Sequence, residues 1–125
     1  MKPFLLQLLR VMSYIFWALI AIVSVLMLIE LAPKEGGWPY WDKLQHVLVF
    51  IILTVAGCLA FTQKRLWVCI SLVGFGAVIE VLQGVLTTTR TPSFYDWLAD
   101  ILGIVIALVL LAVFQRRSAQ NNARI

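Results

Sequence analysis

The sequence predicts an all-α membrane protein: one domain, 1–125, built as a bundle of four transmembrane helices with both termini cytoplasmic. Three observations predict it. Of the 125 residues, 62% are hydrophobic and only 13% are charged, against ~45–50% and ~25% in soluble domains. A chain this short cannot hide so much apolar surface in a soluble fold, because small domains have a high surface-to-volume ratio. The apolar residues also fall into four runs near the ~20 residues that cross a bilayer. They do not form the alternating ~10-residue segments of an outer-membrane barrel. Soluble enzymes, secreted disulfide scaffolds and disordered chains are excluded. So is a nucleic-acid reader, despite a net charge of +4, because the basic residues flank apolar runs instead of forming a solvated face.

The first spanning segment covers roughly 11–31. Lys2 and Arg10 precede it, as in a signal peptide. The apolar run is too long for that role and no A-x-A-like cleavage site follows, so it is expected to be retained. The second segment covers roughly 43–61, the third 66–86 and the fourth 94–114. The connections are short and no internal repeat is present.

Lys2, Arg10, Lys64, Arg65, Arg116, Arg117 and Arg124 flank one set of helix ends; Lys34, Lys43 and Arg90 flank the other. The positive-inside rule then places both termini in the cytoplasm of a plasma (inner) membrane, with the first and third loops outside. Trp38, Tyr40, Trp41, Tyr95 and Trp97 are expected to form an aromatic belt at the outer surface.

The polar residues converge on that outer level. Asp42, Lys43 and His46 open the second helix. Glu80 and Gln83 lie in the outer part of the third, with Glu80 about six residues inside its end, or ~9 Å at ~1.5 Å per residue. Arg90, Ser93 and Asp96 lead into the fourth helix, and Asp100 lies one turn deeper. The inner halves carry almost no polar groups. Spacings of three and four place Lys43 with His46, Glu80 with Gln83, and Asp96 with Asp100 and Gly103 on single helix faces. Ionisable residues at membrane depth are costly and usually face the bundle interior. Gly103, Gly74 and Gly76 are expected to allow close helix approach.

Each residue also has a plainer role. Ser93 and Asp96 fit a capping box after Pro92. Asp42 fits a cap of the second helix, and Lys43 fits a side chain snorkelling to the interface. His46 alone reads as a packed, hydrogen-bonded histidine, and Gln83 as an interhelical donor. Glu80 is hardest to explain without function, because a buried carboxylate needs a cationic partner; Arg90, Lys43 and His46 are the candidates. Glu30 reads as interfacial. Cys58 and Cys69 have neither the spacing nor the exposure for a disulfide or zinc site. A metal held by Glu80, Asp96, Asp100 and His46 is disfavoured by the nearby Lys43 and Arg90, so no metal and no cofactor is expected.

The ordered set Asp42-Lys43-x-x-His46, Glu80-x-x-Gln83, Arg90-x-x-Ser93-x-x-Asp96 and Gly103 resembles the VanZ-like family, named for a protein associated with resistance to the glycopeptide teicoplanin. The resemblance covers roughly residues 38–110. It implies a membrane fold and a polar site more than a reaction. The family often has Asn where this chain has Asp100.

Two helix N-termini, carrying partial positive charge, point toward the outer cluster. With Lys43 and Arg90 they suit an anionic group, such as the phosphate of a lipid or a polyprenyl-linked envelope precursor. In this reading Lys43, Gln83, Arg90 and Ser93 bind the substrate, while His46, Glu80, Asp96 and Asp100 are the catalytic candidates that move protons. Catalysis itself is left open. The alternative is a non-catalytic envelope protein that masks a surface ligand, with the polar cluster as an interhelical lock. A proton-coupled or lipid-flipping transporter is disfavoured by the apolar inner half. Membrane lipids are the expected partners, and so small a bundle is compatible with homo-oligomers.

Overall fold

A computed structural model of the chain describes residues 3–29 and 37–124. It contains four helices, each long and apolar enough to cross a membrane, and no strand among the described residues. They are α1 (Pro3–Leu28), α2 (Trp41–Ala60), α3 (Arg65–Leu86) and α4 (Phe94–Asn122). The protein is therefore a four-helix, multi-pass membrane bundle.

The inner boundaries agree with the hydropathy reading to within three residues, whereas the outermost ends do not. α1 starts at Pro3, eight residues before the expected 11, because proline is well suited to the first helical position and Leu, Gln and Arg continue the helix. α4 runs to Asn122, past the expected 114, because no glycine or proline stops its polar tail. Hydropathy marks the membrane-crossing part of a helix, not the helix itself. Glu30 and most of the first loop lie outside the described residues.

α2 and α4 run in the same direction, side by side. At their contact a Cβ on Gly103 would lie 2.5 Å from the Val47 carbonyl oxygen and 2.9 Å from Phe50 Cβ. Only a glycine admits the α2 backbone at that distance. Gly74, by contrast, has open space around it, so the expectation that it too seats a helix is corrected. α1 packs on α2 and α3 and does not reach α4. Phe16, Val23 and Met27 of α1 join Phe50, Leu53, Leu72, Ile79 and Ile104 in the core. The outward faces are large apolar side chains, such as Trp17, Leu26, Ile52, Val81 and Val109, as lipid contact requires. At the far end of α3 from the polar cluster, Gln115 of α4, with its amide oxygen turned inward, accepts from both Arg65 Nη1 and Nη2 at 2.7 and 2.9 Å.

The segment between α3 and α4 sets the depth of everything that follows. It does not rise away from α3 but folds back along it. Thr87 Oγ1 donates to the Gln83 carbonyl at 2.6 Å, the Pro92 ring seats directly on Gly84, and Ser93 N donates to Glu80 Oε2 at 3.0 Å. α4 therefore begins beside Glu80, six residues before the end of α3, roughly 9 Å along its axis.

Candidate functional site

Three side chains, His46 of α2, Glu80 of α3 and Asp100 of α4, form a connected buried centre. His46 lies on α2, three residues and about one turn beyond Lys43. Its Nδ1 is 2.7 Å from Asp100 Oδ1 on α4, and its Nε2 is 3.8 Å from Glu80 Oε1 on α3. Lys43 Nζ donates to Asp96 Oδ1 at 3.1 Å, one helical turn toward the membrane surface. His46, Glu80, Asp96 and Asp100 are all at least 94% buried, and Asp100 is completely so.

Each group is placed by local structure. Asp100 reaches the centre because Gly76 of α3 lies opposite; a Cβ there would come within 2.5 Å of Asp100 Oδ2. Glu80 follows Gly76 by four residues and so shares its face. The folded-back segment delivers Ser93 to Glu80. A capping box normally has the Ser hydroxyl accept from the backbone three residues on, while the acidic side chain returns to the Ser N–H. Here only the first half forms, Asp96 N to Ser93 Oγ at 3.4 Å. Ser93 N instead goes to Glu80, which frees the Asp96 carboxylate for Lys43. The capping residues have thus been diverted into tertiary contacts.

With Asp100 as a carboxylate, which only accepts, Nδ1 of His46 is the donor, and in the neutral imidazole Nε2 carries the lone pair. That lone pair faces Glu80 Oε1. Both are electron-rich, and Glu80 Oε1 has no hydrogen-bond donor; Asp100 Oδ2 also has none. Two buried carboxylate oxygens of one centre are therefore unsatisfied, which is uncommon and costly. Asp42 adds a further carboxyl, whose oxygen lies within 4.8 Å of ligand-type atoms of His46 and Asp96. Four carboxyl groups thus surround one histidine, with Lys43 as the single formal cation joined to them among the described residues.

Two expected members lie elsewhere. Arg90 takes part in none of the ion pairs formed among the described residues; its carbonyl faces Thr87 Oγ1 at 3.4 Å. The expectation that it pairs with Glu80, Asp96 or Asp100 is corrected. The fold-back leaves Arg90 on the loop while Ser93 descends to Glu80. Gln83 Nε2 donates to the Met27 carbonyl at 2.8 Å. That carbonyl is one of the last four of α1, which lack intrahelical donors, so Gln83 secures the end of α1.

Asp42 does not cap α2; Tyr40 occupies the cap position without a side-chain bond, and Asp42 sits in the first turn. Trp97 is not a belt residue, since its indole N–H reaches into the bundle to the Val73 carbonyl at 3.1 Å. Trp38, Tyr40, Trp41 and Tyr95 are exposed, as a belt requires. Gly76 and the Ser93 backbone N–H were not singled out as site groups in the sequence. The position of Gly76 four residues before Glu80 was the signal available for the first; nothing local announces the second.

A cavity of about 270 Å³ opens beside Lys64, lined by Phe16, Trp17, Phe61, Val68, Leu72 and Phe75. It lies in the other half of the bundle and shares no residue with the polar centre. Comparison of the chain with known protein families, curated proteins and solved structures found no match in any of the three.

Proposed function

We propose that the Asp100–His46–Glu80 centre binds and acts on the headgroup of an anionic lipid or lipid-linked envelope precursor, at the outer leaflet of a plasma membrane. The observation that carries this reading is the His46 lone pair facing an unsatisfied Glu80 oxygen at 3.8 Å, with Asp100 holding the imidazole from behind. A purely architectural cluster gains nothing from two unsatisfied carboxylate oxygens. An oriented imidazole lone pair beside a carboxylate is equipped to take a proton from an incoming group or to coordinate it. The N-termini of α2 and α4 both open toward this end of the bundle and favour a negatively charged headgroup. The orientation with cytoplasmic termini rests on the distribution of Lys and Arg. The resemblance to VanZ-like proteins supports an envelope role with an effect on glycopeptide susceptibility.

The test compares lipids and envelope precursors of cells making the wild type, His46→Gln, Glu80→Gln or no protein, with membrane abundance and glycopeptide susceptibility measured alongside. A phosphate-containing lipid whose level changes with the wild type, and not with either variant at equal abundance, is the expected result. Wild-type effects from both variants would end the reading.

A second reading, in which the cluster is an interhelical lock, has its own support. Lys43–Asp96 joins α2 to α4, and Gln83–Met27 joins α3 to α1. In that case His46→Gln and Glu80→Gln lose membrane abundance and thermal stability together with any phenotype.

A further inference from the structure

The charges around His46 do not balance. Asp42, Glu80, Asp96 and Asp100 face one lysine, which is already committed to Asp96. Lys43 and Arg90 would repel a metal only as unpaired cations at this centre. Lys43 is paired, and Arg90 pairs with none of these carboxylates. What remains is a histidine lone pair and a carboxylate oxygen, facing each other across 3.8 Å.

That separation is too long for a hydrogen bond. In a low-dielectric interior two electron-rich atoms this close call for a positive charge between them, a proton on the imidazole or a bound cation. Zinc–nitrogen and zinc–oxygen bonds of ~2.0–2.2 Å span up to about 4.3 Å, so an ion between the two atoms meets both. The third member of the arrangement is also present. Histidines that bind metals commonly donate their other ring N–H to a carboxylate, which fixes the tautomer and strengthens the ligand. Asp100 Oδ1 stands 2.7 Å from His46 Nδ1, and Asp100 is wholly buried against Gly76.

We infer that His46 Nε2 and Glu80 Oε1 bind a divalent transition-metal ion of the zinc type, with Asp100 as the carboxylate that orients the imidazole. The inference rests on the reading of this centre as a ligand-binding site and adds the means by which it works. With so few protein ligands the ion keeps open positions, which a phosphate oxygen or water fills. A net-negative cluster then takes a negatively charged headgroup, because the cation bridges them.

The test uses the full chain, purified in detergent, stripped with a chelator and titrated with zinc chloride; cobalt(II) absorption reports the ligand set. The wild type is expected to bind a single ion per chain saturably. His46→Gln and Glu80→Gln are expected to weaken binding at least ~10-fold, and Asp100→Asn by ~10–100-fold, the usual cost of losing such a supporting group. Asp42→Asn is expected to bind as the wild type does. Where a variant fails to fold, the wild type alone decides: zinc raises its Tm by mass action if it binds the folded state. No saturable zinc binding and no zinc-dependent Tm shift overturns the inference. So does binding kept in Glu80→Gln but lost in Asp42→Asn. Retention of a phosphate lipid by the stripped protein overturns the cation bridge and leaves the proposed function standing. Zinc binding without any lipid or precursor change upholds the site and removes the proposed function.

Discussion

His46 of α2 and Asp100 of α4 meet at 2.7 Å, the shortest of the polar links between helices that run in the same direction. Residues separated by 54 positions are held in register because two glycines remove side chains from the seam. Gly103 brings the α2 backbone close, and Gly76 of α3 makes room for the Asp100 carboxylate.

The first prediction concerns that room. A Cβ at position 76 would lie 2.5 Å from Asp100 Oδ2 and 3.3 Å from Phe50 Cζ, and both side chains are fully buried. Gly76→Ala is expected to cost ~1–3 kcal/mol by overpacking and to displace Asp100 from His46. Gly74→Ala, two residues earlier and facing open space, is expected to be neutral or to stabilise by ~0.5–1 kcal/mol. Thermal unfolding of both variants in the same detergent checks this. Equal melting temperatures would show that Asp100 is not confined as described.

Glu80→Gln is expected to fold nearly as the wild type does. The new amide oxygen can accept from Ser93 N, and no arginine is left unpaired, because Arg90 is not a partner. A stability loss within ~1 kcal/mol is expected. Arg90→Gln is expected to add to it independently, within ~0.5 kcal/mol, as unconnected sites do. Rescue of an unstable Glu80→Gln by Arg90→Gln would reveal a pairing that this arrangement lacks.

Gln83 secures the end of α1 and makes no hydrogen bond to the His46 centre. Gln83→Leu keeps the volume but leaves the Met27 carbonyl without its donor, at an expected cost of ~1–3 kcal/mol. The Glu80–His46 geometry, and with it any susceptibility phenotype per molecule, is expected to survive. Loss of phenotype at wild-type abundance and stability would return Gln83 to the binding site.

Orientation is checked by thiol labelling in a variant lacking Cys58 and Cys69. Cysteines at Glu35 or Thr89 are expected to react with an impermeant reagent added outside. A cysteine at Ser118 is expected to react only after permeabilisation. The reverse pattern would place the polar centre at the inner leaflet.

Much of this molecule was legible in one dimension. Four apolar runs between polar punctuation determine four helices, because backbone polar groups in lipid must be satisfied within the segment. The three- and four-residue spacings determine that Lys43 shares a face with His46, and Asp96 with Asp100. The cost of charge in the membrane sends those faces inward.

Pairing was not legible, because it depends on the relative depth of helices, and depth is set by the segment between α3 and α4. From the sequence, Arg90, Lys43 and His46 are all candidate partners for Glu80, and the spacing does not choose among them. Once that loop folds back, with Pro92 on Gly84 and Ser93 at Glu80, α4 starts about a turn and a half further in. Asp100 then reaches His46, Asp96 reaches Lys43, and Arg90 stays behind. Periodicity determines which residues share a face. Which residue meets which across two faces was decided only by packing, through the few positions where a missing side chain lets backbones and buried carboxylates come together.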